Sequence, residues 1–240
     1  SWDMKRLEGY RNFCNKLWNA ARYVISNTED FDCDQNDNSN YELSTADKWI
    51  TSRLQRCEQE VDLAFSTYRF DLASQAIYDF VWNEYCDWYL ELSKPVLWNE
   101  NSSPEQLRGT RQTLVRVLEA ALRMAHPLIP FITEEIWHSI KPLLGNTDET
   151  IMLQAYPAAD QSLINEDAEN NLRWTKLFIE NIRRIRSEMD IKPGKVLPVL
   201  LNNWSADDQQ QFGQYEREIL SLAKIEPAKW LSAGDDAPDS

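Results

Sequence analysis

Arg11, Asn15, Asn19 and Arg22 recur along the stretch "RNFCNKLWNAARYV" at intervals that line them up on one side of a helix, with Asn12 and Lys16 beside them. The glutamates that balance arginines on an ordinary solvated helix face are missing here. Amides and guanidinium forks without acidic partners suit phosphate oxygens and exposed base edges. From residue types alone two readings stay open, a nucleic-acid contact face and a plain solvated surface.

A second basic cluster, "RRIRSEMDIKPGK", gathers Arg183, Arg184 and Arg186 with Lys192 and Lys195 beside a turn. It reads as a possible backbone-phosphate patch, although arginine stems on a half-buried helix also pack and pair within a protein. Groups for bond-making chemistry are scarce. The sequence has no GxGxxG or GxxxxGK[ST] loop, no GxSxG elbow and no HExxH. His126 and His138 stand too far apart, with Pro127 between them, to share a helix face as metal ligands. Glu134 and Glu135 are neighbours that point about 100° apart on a helix, and acids in a first turn are accounted for by the helix dipole. Asp87, set in an aromatic helix, needs a partner if buried, and a structural salt bridge to an arginine of the fourth helix is expected for it. No catalytic residue, metal site or cofactor is expected in this chain.

Elements that position such faces follow from composition and punctuation. The 240 residues include ten tryptophans, nine tyrosines and eight phenylalanines, which supply a sizeable core, and only six glycines. A net charge of −14 argues against a protein devoted to polyanions, but the charge is unevenly distributed. Lys5, Arg6, Arg11, Lys16 and Arg22 face a single acid, Glu8, whereas Glu29, Asp30, Asp32, Asp34 and Asp37 crowd one polar run and Asp235, Asp236 and Asp239 the end. The four cysteines, Cys14, Cys33, Cys57 and Cys86, have no metal-ligand spacing and read as reduced thiols of a cytoplasmic protein, three of them in helices. No signal peptide or bilayer-length apolar span is seen.

Helical patterns are expected over about 4–25, from 44 with Ser44 as cap, over 71–92 with Lys94-Pro95 closing it, from 103 with Ser103 as cap and Pro104 at the first position, and over 133–144 up to Gly145. The polar run "SNTEDFDCDQNDNSN" reads as an exposed loop. A basic helix over 166–189, the strand-like "IKPGKVLPVLL" after the Pro193-Gly194 turn, a polar helix over 207–223 and a short apolar "AKWLSAG" give a small α/β signature. The expected fold is mainly α: an up-and-down helical bundle over 1–155, and over 156–240 a connecting arm, a basic helix and a small C-terminal α/β appendage.

The strings "EGYRNFCNKLWNAARYV", "YRFDLASQAIYDFVWNEYCDWYLELSKPVL" and "HPLIPFITEEIW" closely resemble the C-terminal part of valyl-tRNA synthetases, class I aminoacyl-tRNA synthetases, and the likeness runs to about Ala223. The resemblance implies an anticodon-binding helical bundle. Signatures of the ATP-binding site, HIGH and KMSKS, are absent, so it also implies a fragment without the catalytic and editing domains, whose parent enzyme attaches valine to its tRNA with ATP and Mg. The closing "WLSAGDDAPDS" then resembles a cut through the α/β appendage. Carried over by motif, Asn15, Lys16, Asn19 and Arg22 become candidates for contacts to the anticodon, with Arg11 and Tyr23 at the margins, and Arg183, Arg184, Arg186 and Lys195 weaker candidates for tRNA backbone. The implied partners are valine tRNA and the remaining domains of the parent synthetase, with no membrane and no DNA. The competing reading is a helical protein-interaction module that docks other domains or proteins through its exposed aromatics.

Overall fold

A computed structural model describes residues 4–31, 33 and 40–231, with side chains from Glu8 onward. Asp32, the acids of 34–39 and the acidic tail lie outside the described residues, as do the side chains of Lys5 and Arg6. The chain is mainly α and divides into two compact units, 1–169 and 170–240.

The first unit is a helical bundle built from α1 (Met4–Thr28), α2 (Thr45–Ser66), α3 (Phe70–Asp79), a π-helical segment (Phe80–Tyr89), α4 (Leu90–Leu97), α5 (Pro104–Ala125) and α6 (Pro130–Ile140). Local sequence explains the starts. Ser44 accepts from the Asp47 backbone N–H while the Asp47 carboxylate accepts from the Ser44 N–H, and Ser103 and Gln106 repeat the arrangement at α5, whose first residue is Pro104. Past α6 a 3₁₀ turn, Lys141–Leu144, ends at Gly145, whose φ of 65° is the left-handed conformation glycine tolerates.

The third helical pattern departs from expectation. It is continuous from Phe70 to Leu97, passes through Pro95 and carries ten residues of π-helix in its middle. Packing explains the register: Phe80, Val81, Tyr85, Cys86, Trp88 and Tyr89 are all buried. Tyr85 donates to the Leu114 carbonyl at 2.8 Å and Tyr89 to Asp47 Oδ1 at 2.6 Å. Both phenols sit in the core only because each finds an acceptor there. The core is closed by α1, which packs on the π segment, α5 and α6, and by α2, which packs on α3, the π segment and α5. Cys14, Cys57 and Cys86 lie in helices and Cys33 is buried outside them, and none of the four is in a disulfide.

Residues 156–169 belong to the first unit. Ser52 Oγ donates to Glu169 Oε1 at 2.8 Å and accepts from the Asn165 N–H at 2.9 Å, and Arg56 pairs with Glu166 and Glu169. Glu166–Glu169 is also the opening of α7 (Glu166–Glu188).

The second unit contains the rest of α7, then β1 (Leu200–Leu201), α8 (Ala206–Gln214), α9 (Glu216–Ala223) and β2 (Lys229–Trp230). The expected single polar helix is broken at Tyr215 (φ −116°, ψ 20°). The strands are parallel, Leu200 opposite Lys229 and Leu201 opposite Trp230, so the two helices form the crossover that parallel pairing requires. Trp174, Phe178, Trp204, Phe212 and Trp230 meet as mostly edge-to-face rings at 5.4–6.0 Å and provide the unit's core.

Candidate nucleic-acid interface

Phe13, Leu17, Ala20, Ala21 and Val24 bury one side of α1. That leaves the opposite side, with Arg11, Asn12, Asn15, Trp18, Asn19 and Arg22, exposed. The side chains of Arg11, Asn15, Asn19 and Arg22 form no hydrogen bond or ion pair among the described residues. Four of the sequence candidates therefore do share one open face. Trp18 lies in the middle of it, three residues after Asn15 and four before Arg22, and is 44% exposed. Sequence reasoning did not single it out. The signal was the 11–15–18–22 spacing, which puts the indole on the polar stripe.

Lys16 and Tyr23 lie at the edge of that face, half-buried and with their polar groups engaged. The Lys16 ammonium forms an ion pair with Asp87 and lies 4.1 Å from the centre of the Trp82 ring. Asp87 therefore does have a structural partner, but it is a lysine of α1 rather than an arginine of the fourth helix. The π register makes this possible. Residues five apart on an α-helix are turned about 140° from each other, whereas the wider turn of i→i+5 hydrogen bonding brings them toward one side, where Trp82 and Asp87 reach the same lysine. The Tyr23 hydroxyl hydrogen-bonds Ser93 Oγ at 2.8 Å, and burial pushes the phenol above its ordinary value. Its ring lies 5.8 Å from the Lys94 ammonium, which pairs with Glu91.

The second cluster is divided by burial. Arg186 is only 6% exposed and donates to the carbonyls of Lys192 (2.9 Å), Pro193 (3.2 Å), Lys195 (2.6 Å) and Lys224 (3.1 Å). Its guanidinium holds the 192–195 turn on the end of α7, so its donors are not offered to an outside ligand. Arg183 donates to the Leu222 carbonyl at 3.1 and 3.3 Å. Both line a cleft of about 560 Å³ that also contains Ser187, Asp190 and Lys224. Arg184 and Lys195 are exposed. Burial of Arg186 was not visible in the sequence, where it is one more arginine in a basic run.

His126, His138 and Glu134 are engaged structurally. His126 Nδ1 meets Thr133 Oγ1 at 2.8 Å and His138 Nε2 meets Glu134 Oε1 at 2.9 Å. Glu134 also accepts from Thr150 Oγ1 and the Ile151 N–H. Among the described residues no group of three His, Cys, Asp or Glu side chains is placed to hold a metal, and no helix is long and apolar enough to cross a membrane.

The first unit is thus a helical bundle that presents an open amide and guanidinium face along α1. The chain belongs to the family of anticodon-binding domains of tRNA ligases, whose family model matches residues 47–201, well over half of the 240. The match runs from the first turn of α2 to β1, so the open face of α1 lies just before it.

Proposed function

We propose that this chain is the anticodon-reading part of a valine–tRNA ligase and that the open face of α1 contacts the anticodon stem-loop of valine tRNA. The carrying observation is the stripe Arg11–Asn15–Trp18–Arg22, exposed along its length and without partners for its amide and guanidinium groups among the described residues. Unpaired anticodon bases present Watson–Crick edges to amides and guanidinium forks and a flat surface to an indole. Asn15, Asn19, Arg11 and Arg22 supply the first and Trp18 the second. Lys16 and Tyr23 border the face from positions already engaged with Asp87 and Ser93. Arg184 and Lys195 remain candidates for tRNA backbone, with Arg183 partly engaged and Arg186 holding their loop.

Attachment of valine would take place in a catalytic domain of the parent enzyme, in the cytoplasm, with ATP and Mg, and hydrolysis of mischarged products in its editing domain. The part played here is discrimination: the correct anticodon aligns the acceptor end in the distant site, and other tRNAs lose at the transition state.

Titration of valine tRNA against the protein at several salt concentrations tests the reading. Arg22→Ala is expected to weaken binding by about tenfold and to flatten the dependence of log K on log salt by roughly 0.7–0.9 for each phosphate the arginine had neutralised, with helicity unchanged. Unaltered affinity and slope would show that α1 is the wrong face. A protein-docking role has one feature in its favour, an apolar groove of about 370 Å³ lined by Tyr10, Phe13, Ile77, Tyr78, Leu128 and Ile129. Phe131, in the next helix, is 91% exposed. Such a surface suits the parent enzyme's other domains, and substitutions there are expected to leave tRNA binding intact.

A further inference from the structure

We propose that Asp87 is a specificity-determining residue of the tRNA face, one that neutralises Lys16 so that phosphate attraction alone is poorly rewarded; the inference rests on the α1 reading above. Lys16 lies one turn beyond Asn12 and three residues before Asn19, so its ammonium borders the open stripe. A free lysine there would attract the phosphates of any RNA, whatever its sequence. Asp87 removes that unit of charge. The pair is half open to solvent, with side-chain exposures of 26% for Lys16 and 47% for Asp87, and such pairs add little to stability. Its consequence is therefore electrostatic. Specificity is a difference of affinities, and it widens when the sequence-independent part of binding is reduced while base contacts are kept.

The carboxylate is delivered by an unusual device. The π segment carries both Trp82 and Asp87, five residues apart, to the same ammonium. Trp82 is itself fixed, its ring stacked on Tyr78 at 5.4 Å, and Tyr78 stacked on Phe13 of α1 at 5.3 Å. Cation–π attraction keeps the lysine in place whether or not Asp87 is charged. Removing the carboxylate charge thus releases a cation without moving it.

Asp87→Asn preserves shape and most hydrogen bonding, which makes it the informative variant. Binding of a non-cognate tRNA and of a poly(U) oligomer is expected to tighten about 3–10-fold at low salt, and the slope of log K against log salt to steepen by roughly 0.7–0.9. Cognate tRNA gains less, so the cognate to non-cognate ratio falls. In the Lys16→Met background, where no ammonium is left to neutralise a phosphate, the same Asp87→Asn change is expected to leave the salt slope unsteepened, a dependence on Lys16 that a purely structural role for Asp87 would not produce. Steepening of the salt slope that persists without Lys16 overturns the proposal. So does an Asp87→Asn protein with unchanged poly(U) affinity and salt slope while Arg22→Ala still weakens tRNA binding. If neither Arg22→Ala nor Asp87→Asn changes any affinity, the α1 reading falls and this one with it.

Discussion

Tyr89 donates its phenolic hydrogen to Asp47 Oδ1 at 2.6 Å, joining the π segment to the first turn of α2 in the centre of the bundle. The other carboxylate oxygen accepts from Thr110 Oγ1 at 2.9 Å and from the Ser44 N–H at 2.9 Å. Three elements and a helix cap therefore meet on one buried acid.

Tyr89→Phe is expected to destabilise the protein by about 1–3 kcal/mol, the effect of leaving a buried acceptor short of a donor. Burial raises the Asp47 carboxyl above its ordinary 3.8, and the donors oppose that rise. Folding thus favours the protonated form, so stability declines as pH climbs through and above the ordinary range. Loss of the Tyr89 donor enlarges that decline. Urea melts of wild type and Tyr89→Phe should differ more at pH 8 than at pH 4, and an equal difference at both would place the hydrogen bond outside the linkage.

Glu58 gives a sharper pH signature. It is buried in α2, and desolvation pushes its carboxyl from 4.5 up to about 7, against the attraction of Arg123. The unfolded chain releases this proton near 4.5 and the folded protein only near 7, so the contribution is lost as pH rises across that window. Glu58→Gln is expected to flatten the window and to raise stability at pH 8 by about 1–2 kcal/mol after allowance for solvent screening. Denaturant midpoints measured at pH 4.5 and pH 8 check both parts.

Gly109 is expected to resist substitution. A methyl group at this buried position would overlap the backbone carbonyl of Glu42, whose N–H is bonded to the Glu105 carbonyl at 3.0 Å. Gly109→Ala therefore has to push the 40–44 segment off α5, a loss of roughly 1–3 kcal/mol despite alanine's better helix propensity. A rise in melting temperature would contradict this.

Features decided by neighbouring residues were legible in the sequence. Ser44 with Asp47 and Ser103 with Gln106 form their caps within one turn, Pro104 opens α5, and Gly145 ends the 3₁₀ turn, all as spacing and residue type require. The candidate face on α1 was legible for the same reason, since helical periodicity alone aligns Arg11, Asn15 and Arg22. What depends on distant chain was not. Pro95 does not end its helix, because α4 continues to Leu97 with Val96 buried against the core. The π segment is set by where Tyr85 and Tyr89 find Leu114 and Asp47, and Lys16 meets Asp87 across 71 residues. Arg186 reads as surface charge until the carbonyls of 192–195 and Lys224 are seen closing around it.

The most direct test of the central claim is the affinity of the protein for two anticodon stem-loops that differ only in the anticodon, one with a valine anticodon and one without. Stacking on Trp18 and base-edge contacts from Asn15, Asn19 and Arg22 predict tighter binding of the valine stem-loop by about tenfold or more. The preference is expected to be lost in Trp18→Ala and Arg22→Ala proteins that keep their helicity. Equal binding of the two stem-loops by the wild-type protein, unaffected by either substitution, would contradict the account.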